Sequence, residues 1–373
     1  MRVVLTGGGS GGHIYPALAI ARGLLAEDPD TELLYVGTDH GLERDLVPRA
    51  HVPFAAVHAR GLLVPGLRGK MAGVLSALRG TAEAWGILRR FRPDVVVGTG
   101  GYVSGPVGLA AGFLNIPLVI QEQNAWPGLT NRQLAKRAQA VLVPFEEARR
   151  YFPERTRVVL AGNPIDAPTE DRSKAQARTT LGLRRDVRVL MATGGSQGAE
   201  AINRLMLRLM SDVLADPGLG MIWATGKRYY GDMKARLQQQ YPQGWDESRV
   251  QVFEYFYEIQ IVYRASDLFV GRAGAMTLTD CQAFGLPAVL VPSPNVSEDH
   301  QSKNAAVIEG RGAGIRVPEG DLKARRREVL ELLRDADRTD TMSANMRGMF
   351  DAHAVERIVD TIREAAQAAG RRG

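Results

Sequence analysis

The chain has 373 residues, enough for about two domains of ~150 residues, so a single small module is excluded. Hydrophobic residues make up 45% and charged residues 24%, which excludes disorder, collagen and coiled coil for most of the chain. The only cysteine, Cys281, rules out an intrachain disulfide, and the formal net charge of +6 permits anionic partners without choosing among them.

The sequence contains no apolar run long enough to cross a membrane, which would need ~18 uninterrupted residues. The longest candidate, 103–120, is interrupted by glycine, proline and asparagine. The short apolar run that follows Arg2 is too brief for a signal peptide. We therefore expect a protein that is attached at most to a membrane surface.

Short β-branched runs alternate with helical stretches along the chain. Apolar strands of this kind, each followed by a helix, are typical of parallel sheets covered on both faces. The pattern predicts an α/β protein with two doubly wound, Rossmann-like domains that face a cleft. The predicted strands are 3–6, 32–36, 95–98, 118–121, 140–143 and 158–161 in the first series, and 187–192, 221–224, 250–253, 268–270 and 288–291 in the second.

The two series of strands are separated by a stretch rich in proline and polar residues, which is typical of a linker. We place the first domain at 1–163, the linker at 164–186 and the second domain at 187–350. The last segment, 351–373, is predicted to form a helix that could pack on either domain and is assigned to the first.

The first predicted strand runs directly into the glycine loop 7–13, which precedes the predicted helix 16–27. Gly7, Gly9 and Gly12 match the spacing G-x-G-x-x-G, in which glycine lets the backbone approach a phosphate at a helix N-terminus. The acidic residue that a dinucleotide site requires ~20 residues further on has only a late, imperfect candidate. A tight turn without a ligand is the alternative.

Three further loops follow predicted strands, at 98–106, 194–199 and 271–280. Because open α/β sheets bind ligands at the carboxyl ends of strands, loops in both domains predict a cleft in which each domain holds one substrate. The helix that begins near Ala275 offers free N–H groups to a diphosphate, and Asp280 could accept hydrogen bonds from a ribose. For Asp280, a carboxylate that only complements the helix dipole is the alternative.

These motifs together resemble the MurG family of peptidoglycan N-acetylglucosaminyltransferases, which convert lipid I to lipid II. The resemblance extends in the right order over nearly the whole chain. Its most specific part is the loop 98–106 followed by 122–124. The segments that carry it are 7–13, 98–106, 122–124, 162–164, 194–199, 272–280 and 299–304.

The resemblance implies the two-domain glycosyltransferase B architecture, UDP-GlcNAc as the donor and undecaprenyl-diphospho-MurNAc-pentapeptide as the acceptor. It also implies a role in cell-wall synthesis, and with it in cell shape, division and the cell cycle, at the cytoplasmic face of the cell inner membrane. No cofactor, metal or nucleic acid is expected, and other cell-wall synthesis proteins are candidate partners. The alternatives are another UDP-sugar glycolipid transferase, a UDP-GlcNAc 2-epimerase, and a nucleotide-sugar sensor without turnover.

By the same resemblance, substrate contacts fall on loops and helix starts of both domains. The implied acceptor contacts are Gly101, Tyr102 and Ser104. Two positions depart from the family: Asp280 stands where Glu is frequent, and Asp166 stands where many members carry a donor-binding Arg, so Asp166 is not assigned to the site. The implied donor contacts are Ser10, Gly11, Gly12, Asn124, Ser196, Gln197, Gly198, Phe256, Ala275, Met276, Thr277, Leu278, Thr279, Asp280 and Gln301.

A transfer from an α-glycoside donor to a β-linked product requires an in-line displacement, a base for the acceptor C4 hydroxyl and stabilisation of the leaving UDP. His13, at a helix start where the dipole favours the neutral imidazole, is the candidate base, and Glu122 is the second candidate. His13 could instead only bind the acceptor or shape the loop. The Ala275 helix start, with Lys227 or Arg272 as further cations, would meet the charge of UDP.

The segment 67–91 combines an apolar stripe at roughly helical spacing with flanking cations, a pattern that suits an anionic membrane face. Core packing is the alternative for such a stripe, and we expect one part to pack inward and another to meet lipid. The stripe consists of Leu67, Met71, Val74, Leu75, Leu78, Trp85 and Leu88, and the cations are Arg68, Lys70, Arg79, Arg89, Arg90 and Arg92.

Overall fold

The computed structural model describes residues 1–60, 67–165, 168–169 and 171–370, with the backbone alone for 67–72, 74, 297, 369 and 370. The chain forms two compact units. Unit 1 comprises Met1–Asp166 and Asp351–Gly373, and unit 2 comprises Ala167–Phe350. Asp166, the position that departs from the family pattern, lies outside the described residues.

Unit 1 is a doubly wound α/β fold around a seven-stranded parallel sheet. The strand order is β3-β2-β1-β4-β5-β6-β7, so the chain builds outward first from β1 and then from β4. The elements are β1 (Arg2–Gly7), α1 (Gly11–Glu27), β2 (Glu32–Gly37), α2 (Glu43–Arg49), β3 (Phe54–Ala56), α3 (Leu67–Phe91), β4 (Val95–Gly100), α4 (Ser104–Phe113), β5 (Leu118–Gln121), α5 (Leu129–Leu134), β6 (Ala140–Val143), a 3-10 helix (Glu146–Tyr151), β7 (Val158–Leu160) and α14 (Ala354–Gly370).

The strands of this sheet are buried because helices cover both faces. Successive side chains of a strand point to opposite faces. Val3 and Leu5 accordingly pack with residues of α1 and α14, whereas Val4 packs with residues of α3 and α4. Helix α14 therefore belongs to the core of unit 1. Its Ile358 and Ile362 are fully buried, and each such burial stabilises the fold by about 1.5–3 kcal/mol.

Unit 2 repeats this plan with a six-stranded parallel sheet in the order β10-β9-β8-β11-β12-β13. Val189 and Met191 of its first strand lie in one hydrophobic cluster, and Leu190 and Ala192 lie in the other. The elements are α6 (Lys174–Thr180), β8 (Arg188–Thr193), α7 (Glu200–Ala215), β9 (Leu219–Ala224), α8 (Tyr230–Gln240), β10 (Val250–Phe253), α9 (Ile259–Ala265), β11 (Leu268–Gly271), α10 (Ala275–Phe284), β12 (Ala288–Leu290), a 3-10 helix (Ser297–Asp299), α11 (His300–Gly310), β13 (Gly314–Arg316), a 3-10 helix (Glu319–Asp321), α12 (Arg326–Arg334) and α13 (Ala336–Gly348).

The two sheets confirm the predicted fold class, and all the predicted strands are present with ends shifted by at most two residues. The prediction missed β3 and β13, which lie at sheet edges and are three residues long, too short to show an apolar run. Helix α1 begins at Gly11, five residues before the predicted start, and encloses Pro16. The missing N–H of Pro16 removes one helical hydrogen bond, but the helix continues through it.

Each sheet has one point where the strand order reverses, between β1 and β4 in unit 1 and between β8 and β11 in unit 2. Doubly wound sheets bind ligands at the carboxyl ends of the strands beside such a point. The loops 7–13 and 98–106 follow β1 and β4, and the loops 194–199 and 271–280 follow β8 and β11. The fold thus brings two of the four predicted loops to one edge in each unit.

Candidate functional site

Two glycine loops lie directly against each other at the carboxyl edge of unit 1. The Gly8 N–H donates to the Gly100 carbonyl at 3.3 Å. Gly101 has a φ of +79°, and a Cβ at this position would collide with the Gly8 carbonyl. Glycine is therefore required for the close approach of the two backbones.

A layer of buried hydroxyl groups supports both loops. The Tyr35 hydroxyl donates to the Gly7 carbonyl at 2.7 Å, and Thr99 Oγ1 donates to the His13 carbonyl at 2.7 Å. Burial, together with a nearby carboxylate, raises the pKa of Tyr35, so its hydroxyl remains a donor. The Ser104 hydroxyl donates to a carbonyl of its own loop at 2.8 Å and is fully buried. Ser104, a predicted acceptor contact, thus has its hydroxyl engaged inside the loop.

Glu43 is a buried carboxylate that the sequence pattern did not single out. Its Oε2 accepts from the Gly9 N–H at 3.2 Å, and its Oε1 accepts from the Thr38 hydroxyl at 2.6 Å. It is fully buried and ties the loop after β2 to the first glycine loop. A glutamate at a helix start normally indicates a dipole partner on the surface, so only the tertiary structure reveals this contact.

His13 lies in the first turn of α1, half-buried beside the ends of β4 and β5. Its Nδ1 is 3.0 Å from the Thr99 carbonyl oxygen and 3.0 Å from Gln123 Oε1. Among the described residues, none forms a hydrogen bond with Nε2. This nitrogen is therefore the one that is left for a ligand.

Glu122, directly after β5, is 1% exposed and accepts five N–H groups. Its Oε1 accepts from the Gln123 N–H and from both N–H donors of Asn124 at 2.9–3.0 Å. Its Oε2 accepts from the Gly128 N–H at 3.1 Å and from Asn131 Nδ2 at 2.9 Å. Because a carboxylate has about four lone-pair positions, these donors saturate it. Glu122 thereby organises the loop that carries Asn124.

The first turn of α1 presents backbone N–H groups at the same edge. Ser10 is exposed, and its side chain does not cap the helix. The Ser10 carbonyl accepts from the His13 N–H at 3.1 Å, whereas the N–H groups of Gly11 and Gly12 have no partner in the part of the chain that the structure describes. Unpaired N–H groups at a helix N-terminus attract anions. Ser10 and the first turn of α1, with His13, therefore lie at the same edge as the loop that carries Asn124.

The apolar stripe predicted on α3 divides between two environments. Leu88 is fully buried, whereas Leu75 and Leu78 are 65% and 64% exposed. Trp85 is 38% exposed, and the Arg89 guanidinium lies 5.0 Å from its ring centre. No described helix is both long enough and apolar enough to cross a membrane. The side chains of Leu67, Arg68, Lys70, Met71 and Val74 lie outside the described ones.

At the carboxyl edge of unit 2, the loop after β8 is held by the loop after β9. The Lys227 N–H donates to the Ser196 carbonyl at 3.2 Å. Gly198 has a φ of +83°, and a Cβ there would collide with the Thr225 carbonyl. The resulting tight turn leaves Ser196 and Gln197 exposed.

Helix α10 begins with small residues and without a side-chain cap. The Leu278 N–H donates to the Gly274 carbonyl at 3.0 Å. The preceding N–H groups, of Ala275, Met276 and Thr277, have no partner among the residues described. These three N–H groups lie at the positive end of the helix dipole. Unpaired N–H groups at a helix N-terminus are the arrangement that binds phosphate.

Further along α10, Leu278 and Thr279 face the interior, and the Thr279 hydroxyl donates to the Ala275 carbonyl at 3.0 Å. Asp280 is half-buried and hydrogen-bonded to Tyr263. Burial raises the pKa of Asp280 to about 7, and the bond from Tyr263 opposes this rise. Near neutral pH, Asp280 therefore exchanges between a carboxylate that accepts and an acid that can donate.

Three other predicted positions differ in which of their groups a ligand could contact. Gln301 accepts from the Ser293 N–H at 2.8 Å through Oε1, which leaves its Nε2 without a partner among the described residues. Phe256 is buried, so a ligand would meet its backbone and not its ring. Arg272 forms an ion pair with Glu319 and is therefore already neutralised within unit 2.

Both edges combine glycine loops with unpaired helix N–H groups, and no described group of three His, Cys, Asp or Glu side chains could hold a metal. Models of glycosyltransferase family 28 match both units, the N-terminal domain at residues 3–143 and the C-terminal domain at residues 189–359. The crystal structure of Acinetobacter baumannii MurG is similar with a TM-score of 0.78 at 27% identity, over 97% of this chain and 99% of that chain. The fold and the two edges define a two-domain glycosyltransferase of the B type.

Curated relatives specify the family further. A protein of Symbiobacterium thermophilum is 45% identical over 99% of this chain and 98% of its own length, and one of Moorella thermoacetica is 42% identical over 97% and 98%. Both are called UDP-N-acetylglucosamine--N-acetylmuramyl-(pentapeptide) pyrophosphoryl-undecaprenol N-acetylglucosamine transferase. The chain belongs to this MurG family of N-acetylglucosaminyltransferases, as the sequence motifs predicted, and is a hexosyltransferase.

Proposed function

We propose that the chain transfers N-acetylglucosamine from UDP-GlcNAc to the C4 hydroxyl of MurNAc in undecaprenyl-diphospho-MurNAc-pentapeptide, the step from lipid I to lipid II. The observation that carries the proposal is the 45% identity, over nearly the full length, to a relative named for this transfer. The two edges support it because, within the part of the chain that the structure describes, one offers an imidazole nitrogen without a partner and the other offers helix N–H groups without partners.

Unit 2 is the proposed donor side. The first-turn N–H groups of α10 would bind the diphosphate together with the exposed turn at Ser196, and Asp280 would accept from a ribose hydroxyl. Gln301 would direct its unpaired Nε2 to a GlcNAc hydroxyl. The other proposed contacts in this unit are Gln197, Gly198, Phe256, Ala275, Met276 and Thr277, with Leu278 and Thr279 acting through packing.

Unit 1 is the proposed acceptor side. Gly101 and Tyr102 would face the acceptor diphosphate, and the buried Ser104 would support their loop. Asn124, on the loop organised by Glu122, would contact the GlcNAc of the donor. Ser10, Gly11 and Gly12 complete the proposed donor contacts of this unit.

His13 is the proposed general base. As the acceptor oxygen attacks the anomeric carbon, its proton passes to His13 Nε2, and the carbon–oxygen bond to UDP breaks with its electron pair on the phosphate oxygen. His13 is preferred over Glu122 because Nε2 has no partner among the described residues, whereas five donors saturate the Glu122 carboxylate. The N–H groups of α10 would stabilise the charge on the leaving UDP.

A lipid acceptor requires contact with a membrane, and the exposed part of α3 is the proposed contact surface. Leu75 and Leu78 would enter the headgroup region, and Trp85 would lie beside them at the interface. Cations line a depression next to Trp85 and would attract anionic lipids. They are Arg2, Arg89, Arg90 and Arg92. We infer a peripheral position at the cytoplasmic face of the membrane, where cell-wall synthesis proteins are candidate partners.

The test is a transfer assay with the full chain, radiolabelled UDP-GlcNAc and lipid I. We expect UDP release and a labelled lipid product in equal amounts, and neither when lipid I is omitted. Formation of UDP-ManNAc from the donor alone would instead identify a 2-epimerase. Labelling of a diacylglycerol lipid but not of lipid I would identify another glycolipid transferase.

Donor selection provides a second arm of this test. UDP-GalNAc differs from UDP-GlcNAc only in the configuration of the C4 hydroxyl. A polar site that hydrogen-bonds this hydroxyl in one configuration leaves it without its partner in the other. We expect UDP-GalNAc to be a poor donor with the same lipid I. Equal kcat/KM values for the two donors would contradict the proposed sugar contacts.

A further inference from the structure

A chain of buried amide side chains lies behind His13. Gln121 is the last residue of β5, Gln123 lies two residues further on, and Asn163 comes from the loop after β7. Their exposures are 0%, 1% and 5%. Polar side chains at such depth need hydrogen-bond partners on nearly every atom, so the orientation of each amide is determined by its neighbours.

The orientation of Gln123 follows from the oxygens around its nitrogen. Gln123 Nε2 lies 2.7 Å from the Thr99 carbonyl oxygen, 2.9 Å from the Gln121 carbonyl oxygen and 2.6 Å from Gln121 Oε1. The reversed amide would place an oxygen against these three oxygens. Because carbonyl oxygens cannot donate, Gln123 must direct Nε2 to them and Oε1 to His13.

The remaining two amides hold Gln123 in this orientation. Gln121 Nε2 donates to the Glu122 carbonyl at 3.0 Å and to Asn163 Oδ1 at 3.1 Å, so Gln121 Oε1 faces Gln123. Asn163 Nδ2 donates to the Gln123 carbonyl at 3.0 Å. Each of the three amides donates to at least one backbone carbonyl, which cannot reverse, and the direction of the whole chain is therefore defined.

These contacts determine which nitrogen of His13 carries the proton. Nδ1 faces two acceptors, the Thr99 carbonyl oxygen and Gln123 Oε1, each at 3.0 Å. A nitrogen between two acceptors must be an N–H donor, so the neutral ring is protonated at Nδ1 and has its lone pair on Nε2. A general base needs this lone pair on the nitrogen that a substrate can reach.

We propose that Gln123 is a positioning residue that holds His13 in the Nδ1–H tautomer, with Gln121 and Asn163 fixing the orientation of Gln123. The proposal rests on the proposed function, in which His13 is the base. Gln123 is an uncharged acceptor, so it orients the ring without the attraction that a carboxylate would exert on the imidazolium form.

Other charged or titratable groups on neighbouring segments are engaged elsewhere. Glu43 accepts from the Gly9 N–H, and Glu122 accepts the five donors described above. Among the described hydrogen bonds, none joins either carboxylate, or the Tyr102 hydroxyl, to the His13 ring. The amide chain is thus the polar environment that faces Nδ1.

The first test is ¹⁵N nuclear magnetic resonance of the full chain labelled at histidine, with the His13 signals assigned from His13→Ala. We expect the neutral ring to carry its proton on Nδ1 in the wild type. Gln123→Met removes one of the two acceptors of the Nδ1 proton, so the two tautomers should mix and kcat should fall, with donor KM unchanged. The fall should be only about tenfold, because the Thr99 carbonyl still accepts one bond. A wild-type ring protonated at Nε2 would overturn the proposal, whatever the variant does.

The second test is the pH dependence of kcat. Gln123→Glu replaces Nε2 with an oxygen that faces three acceptor oxygens, so this variant should lower kcat. Where its carboxyl is ionised beside Nδ1, the imidazolium form is stabilised and the acidic limb moves upward. Gln251→Met is the matched control, since Gln251 also donates to two backbone carbonyls, those of Leu181 and Glu247, but lies in unit 2, and it should move neither the limb nor the His13 signals. A kcat equal to that of the wild type in both Gln123→Met and Gln123→Glu would contradict positioning. Full activity of His13→Ala would refute the base assignment, while the tautomer measurement would still decide the role of Gln123.

Discussion

The two switch-point edges both begin a helix with N–H groups that have no partner among the described residues, but they differ in the side chains beside them. In unit 1, His13 is bound at one ring nitrogen, and Glu122 is saturated by N–H donors. In unit 2, the first turn of α10 offers backbone N–H groups, and Asp280 is the half-buried side chain beside them. The same topology therefore supports two kinds of site.

The difference follows from what each chemistry requires. A proton acceptor must hold one atom in one orientation, and a side chain achieves this only when further hydrogen bonds restrict its rotation. A diphosphate needs several fixed donors, which a helix N-terminus supplies without side chains. Substitutions in unit 1 should accordingly change the rate of transfer, and substitutions in unit 2 should change the affinity for the donor.

The largest expected effect is that of His13→Ala, which removes the proposed base. We expect kcat to fall by ~10²–10⁴, with the donor KM little changed. Steady-state kinetics with both substrates would measure this. His353→Ala is the matched control because His353 is an exposed histidine immediately before α14 of the same unit. A large rise in donor KM for His13→Ala would remove the contrast between the two edges.

Glu122→Gln tests whether the second carboxylate of unit 1 supports structure or chemistry. The variant replaces one carboxylate oxygen, which accepts hydrogen bonds, with an NH₂ group that cannot accept them. Some of the five N–H donors then lose their acceptor, and each such loss destabilises the fold by roughly 1–3 kcal/mol. We expect a lower melting temperature and reduced activity with an unchanged pH–rate profile. Loss of the acidic limb in this variant, together with its persistence in His13→Ala, would identify Glu122 as the base.

Asp280→Ala tests the donor side. Loss of a charge-assisted hydrogen bond to ribose is worth about 1.5–3 kcal/mol, so KM for UDP-GlcNAc should rise by roughly 10- to 100-fold. The melting temperature of the unliganded variant should not fall near neutral pH, because burial already disfavours the carboxylate that is removed. Normal UDP affinity, measured by titration calorimetry, together with a much lower melting temperature would mean that Asp280 serves the fold.

The raised pKa of Asp280 also predicts a pH-dependent effect on stability. Its carboxyl titrates near pH 7 in the folded chain and near ~4 when unfolded, so between these values the folded state binds more protons. The stability contributed by this group therefore falls as the pH rises from ~4 to ~7, by at most about 1.4 kcal/mol per pH unit. Asp280→Asn should lack this fall, so its melting temperature relative to the wild type should rise between pH 5 and pH 7.5. A constant difference would contradict the prediction.

The smallest expected effect concerns membrane binding by the exposed face of α3, a surface that belongs to unit 1 only. Leu75→Ser with Leu78→Ser should weaken binding to anionic vesicles several-fold, since both side chains are exposed on α3. Activity on a short-chain, soluble lipid I analogue should persist. Leu160→Ser, an exposed leucine on β7, is the control. Equal vesicle binding by all three proteins would exclude this face of α3 as the contact surface.

The sequence by itself determined the fold class and the location of the loops. Apolar runs such as 118–121 and 140–143 predict strands because their pattern is local, and a glycine loop at a strand end predicts a ligand edge in any doubly wound sheet. The order of the motifs also identified the family, which the curated relatives confirm.

Only the tertiary structure decided which side chains are engaged. The partners of His13 Nδ1 are 86 and 110 residues away in sequence, and the donors that saturate Glu122 come together only when the loop after β5 folds back on it. Glu43 has no local pattern that distinguishes it from a surface residue, and the motif 122–124 does not by itself reveal that Gln123 contacts His13. Periodicity reports burial along one element, whereas the protonation and free lone pairs of a site depend on hydrogen bonds between distant segments.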